Sequence, residues 1–218
     1  MKFKNLFTRK TTIEKEEKKK KSFSQNSNLP RIKVDNNKYL LLSEIDTLST
    51  FSYVIMEGVL NNEDLTLLKN KLKAGLSSFA ANAVLKEIDM GNSTLDANCI
   101  HIDFKEMFNF CINLTNVTLP DASLYNIDTN FQATFRGCSK LKTIHNFNTY
   151  KHISNLNSTF CFCNLLSEIE ITSNPFPKGN ADTFQKTNRD FKIKIPQGVK
   201  IPSTWIQINT ENVIVSEK

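Results

Sequence analysis

Apolar residues recur along this chain with a spacing that is repeated at nearly constant intervals. In three segments, a phenylalanine is followed by a cysteine three residues later, a leucine after six, and a valine or isoleucine after nine. These segments are Phe108/Cys111/Leu114/Val117, Phe135/Cys138/Leu141/Ile144 and Phe160/Cys163/Leu166/Ile169. Weaker copies begin at Phe79 and Phe184, so that successive phenylalanines are 24 to 29 residues apart. A period of this length with degenerate ends indicates a repeat protein with atypical terminal units.

Each unit contains two periodicities. Before the cysteine, apolar residues fall at i, i+4 and i+7, as in Phe104, Phe108 and Cys111, which predicts a short amphipathic helix. After the leucine they alternate with polar residues, as in Val117 and Leu119, which predicts a short strand with one buried face. The pattern therefore predicts an α/β solenoid of about four to five short helix-strand units, with a parallel sheet on one side.

An upstream segment has the features of a terminal unit. A strand-like stretch reaches Gly58, Asn61 or Asn62 can cap a following helix, and leucines form a stripe on its predicted buried side. The stripe consists of Leu65, Leu68 and Leu72.

Together with the three full units, this segment resembles the BspA-type leucine-rich repeats, whose units read roughly F-x-x-C-x-x-L-x-x-I-x-[LI]-P. Pro120 and Pro196 match the last position, and the similarity covers about residues 50–215. Proteins of this family are surface-exposed or secreted. The resemblance implies a right-handed leucine-rich repeat solenoid used for protein-protein contacts or adhesion, with no catalytic residues and no cofactor.

The basic charge lies in one part of the chain. Residues 1–21 contain nine Lys or Arg and three Glu, so they account for the whole net charge of +6. The remainder of the chain has 19 basic and 19 acidic residues. The body therefore has no net field to attract nucleic acid. We expect a disordered Lys-rich tail (1–28), an N-terminal cap region with a strand and a helix (29–78), leucine-rich repeats (79–195) and a C-terminal cap (196–218).

The tail has two interpretations. It is either a solvated leader or a basic segment that attaches the protein to a membrane surface through Phe3, Leu6 and Phe7. The first residues have no apolar stretch typical of a secretory signal, and no apolar run approaches the roughly 20 residues of a membrane-spanning helix. A cytoplasmic location is therefore the default expectation, although the resembled family is usually surface-exposed or secreted.

The cysteines are candidate ligands or disulfide partners. A zinc site needs four converging ligands, usually with paired spacing such as C-x-x-C, whereas this chain has C-F-C with His145 and His152 as the nearest histidines. Cysteines in stacked units would lie about 8–10 Å apart, beyond the roughly 7 Å that a disulfide allows between Cα atoms. We interpret them as reduced structural residues, with zinc or a disulfide as alternatives. The five are Cys99, Cys111, Cys138, Cys161 and Cys163.

The sequence contains no common catalytic motif. Phosphate-binding loops, dinucleotide-binding motifs, zinc-protease motifs and serine nucleophile motifs are missing, and His101, His145 and His152 have no fixed carboxylate or cysteine partner in sequence. We therefore expect a non-enzymatic protein. An unrecognised enzyme and a structural spacer are the alternatives.

The repeat register identifies a candidate binding surface. If residues nine and eleven positions after each phenylalanine point inward, those eight and ten positions after it point outward across the sheet. A strip of this kind can bind a protein partner, as strand faces of repeat proteins commonly do. The alternative is ordinary surface polarity, with the acidic pair beside Lys192 and Lys194. The candidate strip comprises Asn116, Thr118, Thr143, His145, Glu168 and Glu170.

Overall fold

The computed structural model describes residues 29–34, 39–76, 82–205 and 207–216. The predicted tail (1–28) and Phe79, the first residue of the weak upstream copy, lie outside the described residues. The strands are β1 (Arg31–Val34), β2 (Leu40–Leu41), β3 (Tyr53–Leu60), β4 (Glu87–Leu95), β5 (His101–Asp103), β6 (Asn116–Thr118), β7 (Asp128–Asn130), β8 (Thr143–His145), β9 (His152–Asn155), β10 (Glu168–Glu170), β11 (Lys192–Pro196) and β12 (Val213–Ser216). The helices are α1 (Asn62–Lys73) and the 3-10 helices Leu42–Glu44, Phe147–Thr149 and Thr210–Asn212.

The described strands form three small sheets. The first has the order β2-β1-β3-β4-β6-β8. In it, β1 is antiparallel to β2 and β3, whereas β3, β4, β6 and β8 are parallel to one another. The second has the parallel order β10-β11-β12, and the third has the parallel order β5-β7-β9. None of the described helices is both long and apolar enough to cross a lipid bilayer.

The predicted helix after β3 is confirmed. The Asn61 side chain accepts hydrogen bonds from the backbone N–H of Glu63 and Asp64, at 2.8 and 3.0 Å, and the Asn61 N–H donates to the Asp64 carboxylate at 3.1 Å. This reciprocal cap satisfies backbone donors that otherwise have no partner at a helix start. The predicted stripe is buried against the core and consists of Leu65, Leu68 and Leu72.

The predicted fold class, a leucine-rich repeat solenoid of about four to five helix-strand units, is wrong. Within the described residues, α1 is the one α-helix, and the strands are divided among three small mixed or parallel sheets. The segments expected to be helical are successions of turns at 105–110, 132–137, 157–162 and 181–186. The fold is α/β, but its repeated segments contain turns and strands where the prediction had helices and strands.

The backbone hydrogen bonds explain why these segments are not helices. Phe108 N donates to Thr134 O at 3.0 Å, and Phe135 N donates to Thr159 O at 3.1 Å, so each N–H bonds to the following segment. An α-helix would require these donors to bond to the carbonyl four residues earlier. Glu106 and Phe110 also have positive φ values of 57° and 59°, a conformation that interrupts a right-handed helix.

Buried aromatic rings form a column through the turn segments. Ring centroids are 5.7 Å apart for Phe108 and Phe135, 6.0 Å for Phe135 and Phe160, and 5.3 Å for Phe160 and Phe184. Trp205 closes the column edge-on against Phe184 at 4.9 Å. Each such pair stabilises the fold by about 0.5–1.5 kcal/mol beyond its burial from water. The repeated phenylalanine is therefore the main core residue of each segment.

The repeated cysteine holds neighbouring segments together. Cys138 Sγ donates to Phe108 O at 3.0 Å, and Cys163 Sγ donates to Phe135 O at 3.1 Å. All five cysteines are free thiols, and no group of three or more His, Cys, Asp or Glu side chains in the described ranges could hold a metal ion. A cysteine side chain is small and largely apolar, and its S–H is a weak hydrogen-bond donor. It therefore fits a buried site beside a backbone carbonyl.

Candidate functional site

The structure divides the candidate strip between two sheets. In the first sheet, Asn116 is the register partner of Thr143, and Thr118 is the register partner of His145. Thr143 Oγ1 donates to Asn116 Oδ1 at 2.6 Å. Glu168 and Glu170 lie on β10, which belongs to the second sheet.

A groove of about 330 Å³ lies between β8 and β10. Its walls are the edges of these two strands, so it contains four of the six strip residues, and Asn116 and Thr118 lie outside it. Thr118 is instead close to β4, where a Cβ atom on Gly91 would be 3.0 Å from its Cγ2. The residues of the two strands that line the groove are Thr143, Ile144, His145, Glu168, Ile169 and Glu170.

The groove lies where the repeat pattern is interrupted. Eleven residues after the phenylalanine, the neighbouring units have Leu119 and Ile171, which are buried, whereas this unit has Asn146. Asn146 has a φ of 66°, and its side-chain amide donates to Leu119 O at 2.8 Å. The left-handed backbone conformation of Asn146, together with its side-chain hydrogen bond, ends the extended chain after His145.

The 3-10 helix that follows fills the core in a different way. Phe147 is buried, with its ring 4.8 Å from that of Phe131 and 5.5 Å from that of Phe160. Asn148 Nδ2 donates to Glu170 Oε2 at 2.7 Å and thereby joins the 3-10 helix to β10. This helix stands at one end of the groove, and β8 and β10 do not pair.

Backbone groups of β8 face the groove. Thr143 N donates to Thr115 O at 3.4 Å, and His145 O accepts from Leu119 N at 3.2 Å, so the backbone groups of both residues point toward β6. Backbone groups of successive strand residues point to opposite sides. The N–H and C=O of Ile144 therefore point toward the groove.

Backbone groups of β10 face the groove from the other side. Lys192 N donates to Ser167 O at 2.8 Å, and Ile171 N donates to Lys194 O at 2.9 Å, so alternate residues of this segment are used for pairing with β11. By the same alternation, the N–H and C=O of Glu168 and Glu170 point away from β11 and toward β8. The groove thus lies between two strand edges with hydrogen-bonding backbone groups.

The charged side chains at the groove are partly paired. Lys194 Nζ is 2.9 Å from Glu168 Oε1, with side-chain exposures of 35% and 57%. Because both groups are in contact with water, this pair contributes at most about 1 kcal/mol to stability. The Glu170 carboxylate accepts the bond from Asn148, so both carboxylates are held in place along β10.

One histidine has a carboxylate partner that the sequence reasoning missed. His101 Nδ1 lies 3.0 Å from Asp128 Oδ2, across the pair of strands β5 and β7. The two residues are 27 positions apart, which is one repeat length. The repeat spacing could have identified the pair, but only if the third sheet had been predicted.

No protein-family profile, curated protein or solved structure matches this chain. The resemblance to BspA-type proteins therefore stays a prediction.

Proposed function

We propose that this chain is a protein-binding module and that the groove between β8 and β10 is its partner-binding site. The observation that supports this most strongly is the pair of strand edges that face each other, with the backbone groups of Ile144 on one side and those of Glu168 and Glu170 on the other. Strand edges of this kind are recurrent sites of protein recognition. Adhesion, which the BspA resemblance implies, is one form of such binding.

Site-specific cross-linking in the source cells tests this proposal. A photoreactive benzoylphenylalanine at Thr143 should form a covalent adduct with a partner, and the same group at Lys140 should not, because Lys140 is exposed and outside the groove. The double variant His145→Arg/Glu168→Arg, with the photoreactive group kept at Thr143, should lose the adduct. Both substituted side chains are exposed, so we expect its melting temperature to change little.

Lys140→Glu is the matched surface control, and it should retain the adduct. An equal yield of adduct from Thr143 and Lys140, or an unchanged adduct in the double variant, would contradict binding at the groove.

A further inference from the structure

We propose that the groove between β8 and β10 binds an extended peptide segment as an added β-strand, and that this segment has a basic-apolar-basic pattern. This inference rests on the proposed function and deepens it by stating the conformation and chemistry of the bound segment. It follows from the backbone groups, the charges and the apolar surface that border the groove.

The backbone groups favour an extended occupant. Ile144 presents an N–H and a C=O from β8, and Glu168 and Glu170 each present an N–H and a C=O from β10. A strand inserted between the two edges can donate to and accept from both, whereas a helix satisfies its own backbone groups. The added strand would join the first and second sheets.

The charge pattern of the occupant follows from the partner that β10 already has. On its other edge, the acidic-apolar-acidic segment Glu168–Glu170 pairs in register with the basic-apolar-basic segment Lys192–Lys194. The same two glutamate side chains border the groove, which Lys142 and Lys194 also line, and the outward side chains of β8, Thr143 and His145, add no carboxylate. Opposite charges on adjacent strands stabilise their pairing. Lysine or arginine is therefore favoured at the two outward positions of the bound segment.

The central residue of the segment faces the core. Ile144 is only partly buried, whereas Val117 and Ile193, which hold the same repeat position in β6 and β11, are fully buried. An apolar side chain placed between Ile144 and Ile169 would cover this remaining surface. Removing apolar surface from water contributes about 25 cal/mol of favourable free energy per Å² to binding.

A labelled peptide tests the inference with the full chain. The probe is fluorescein-Ser-Lys-Ile-Lys-Ser, and fluorescence anisotropy measures its Kd. N-methylation of the isoleucine removes one backbone donor and should weaken binding by about tenfold or more. The charge-reversed peptide fluorescein-Ser-Glu-Ile-Glu-Ser should bind at least about tenfold more weakly, because its carboxylates would face those of β10.

Amide hydrogen exchange identifies the binding mode. The probe should slow the exchange of the Ile144, Glu168 and Glu170 amides, whose N–H groups face the groove. The Thr143 amide is the internal control, because it already donates to Thr115 O and should not change. Binding of the probe without slower exchange at the three amides would overturn strand addition and leave the proposed function standing.

Two protein variants supply independent evidence. Ile144→Pro removes the groove-facing N–H of β8 without removing a donor to β6, and proline is tolerated on edge strands. It should abolish probe binding. If this variant does not fold, Glu170→Lys, which keeps the backbone, should weaken binding by about tenfold through charge repulsion. Lys140→Glu is the control and should bind as the unchanged chain does.

The remaining outcomes distinguish this inference from the proposed function and from other occupants. A partner cross-linked from Thr143 in a chain that does not bind the probe would overturn the basic-apolar-basic segment alone. Self-association of the chain that the probe abolishes would make a segment of a second copy the occupant. Tighter probe binding in Lys2→Glu/Lys4→Glu, which reverses the charges of the Lys-Phe-Lys sequence at the start of the chain, would make that segment the occupant. Either result would overturn the inference that the bound segment belongs to a partner protein.

Discussion

At the scale of single residues, the buried thiols make stability depend on alkaline pH. Burial raises the pKa of Cys111 from 9.0 to about 12, and it raises the pKa values of Cys138 and Cys163 well above the ordinary value. Above about pH 9 the unfolded chain loses these protons while the folded chain retains them, so rising pH favours unfolding. Each thiol lowers the free energy of unfolding by up to about 1.4 kcal/mol per pH unit, a slope that is reached as the unfolded thiol becomes fully ionised above pH 9.

Urea unfolding at pH 7, 8, 9 and 10 measures this effect. Cys138→Ser keeps a donor for Phe108 O but does not titrate, so its loss of unfolding free energy between pH 9 and 10 should be smaller by about 1 kcal/mol. Between pH 7 and 8 the two proteins should have the same pH dependence. Equal slopes of the two proteins above pH 9 would show that the Cys138 thiol ionises in the folded state.

Glycine is required at position 137 for two reasons. Its φ is +75°, and a Cβ atom there would be 2.5 Å from Cδ1 of Phe110. Gly198 has a similar φ of +83° with nothing within 4 Å of the added atom, so Gly198→Ala should cost only about 1 kcal/mol of backbone strain. Gly137→Ala should cost about 2–3 kcal/mol in urea unfolding, because the ring must also move.

A double-mutant cycle separates the two contributions. In a Phe110→Ala background, Gly137→Ala should cost no more than Gly198→Ala does, because the ring is gone. The same cost of Gly137→Ala with and without the Phe110 ring would contradict the steric explanation.

At the scale of secondary-structure elements, α1 depends on its first residues. Asn61→Ala removes the acceptor for two backbone N–H groups and should lower the free energy of unfolding by about 1 kcal/mol. Asn70→Ala is the matched control, since Asn70 lies on the exposed face of the same helix and alanine favours helix there. Urea unfolding monitored by circular dichroism compares them. A loss in Asn61→Ala no larger than in Asn70→Ala would contradict the role of the cap.

Local signals predicted some elements correctly and others incorrectly. The cap and leucine stripe of α1 act within the helix itself, so the sequence was sufficient to predict it. The same apolar spacing at Phe104, Phe108 and Cys111 belongs to turns, because the N–H groups of Phe104 and Phe108 bond to residues of the next segment. Period alone does not distinguish a helix from turns that present every third or fourth side chain to the core. The deciding hydrogen bonds are long-range and could not be read from the pattern.

At the scale of the whole molecule, the repeat register predicted the pairing of β6 with β8 but not the groove beside it. It correctly placed Thr143 beside Asn116 and His145 beside Thr118. It also implied that β10 continues the sheet after β8, which is wrong because Asn146 interrupts the strand and Phe147 enters the core. The substitution of an amide for an aliphatic residue at that repeat position was visible in the sequence. Its consequence, two separated strand edges, depends on the packing of three aromatic rings.

The aromatic core passes beneath the groove and should make the molecule unfold as one unit. Phe135 precedes β8 and Phe160 precedes β10, and their rings are 6.0 Å apart although the two strands do not pair. Trp205 is the single tryptophan, and it packs against Phe184 at the far end of the column. Its fluorescence and far-ultraviolet circular dichroism should therefore report the same urea midpoint.

Phe160→Ala removes the ring that connects the two sides of the groove. It should lower the free energy of unfolding by about 3–5 kcal/mol and move the Trp205 transition to a lower urea concentration than the circular dichroism transition, because the second sheet loses its contact with Phe135. Phe104→Ala is the control: its ring contacts Phe131 and Tyr150 beside the column, so both transitions should shift together. Separate transitions in the unchanged chain would show that the groove divides the protein into two folding units and that the aromatic column does not couple them.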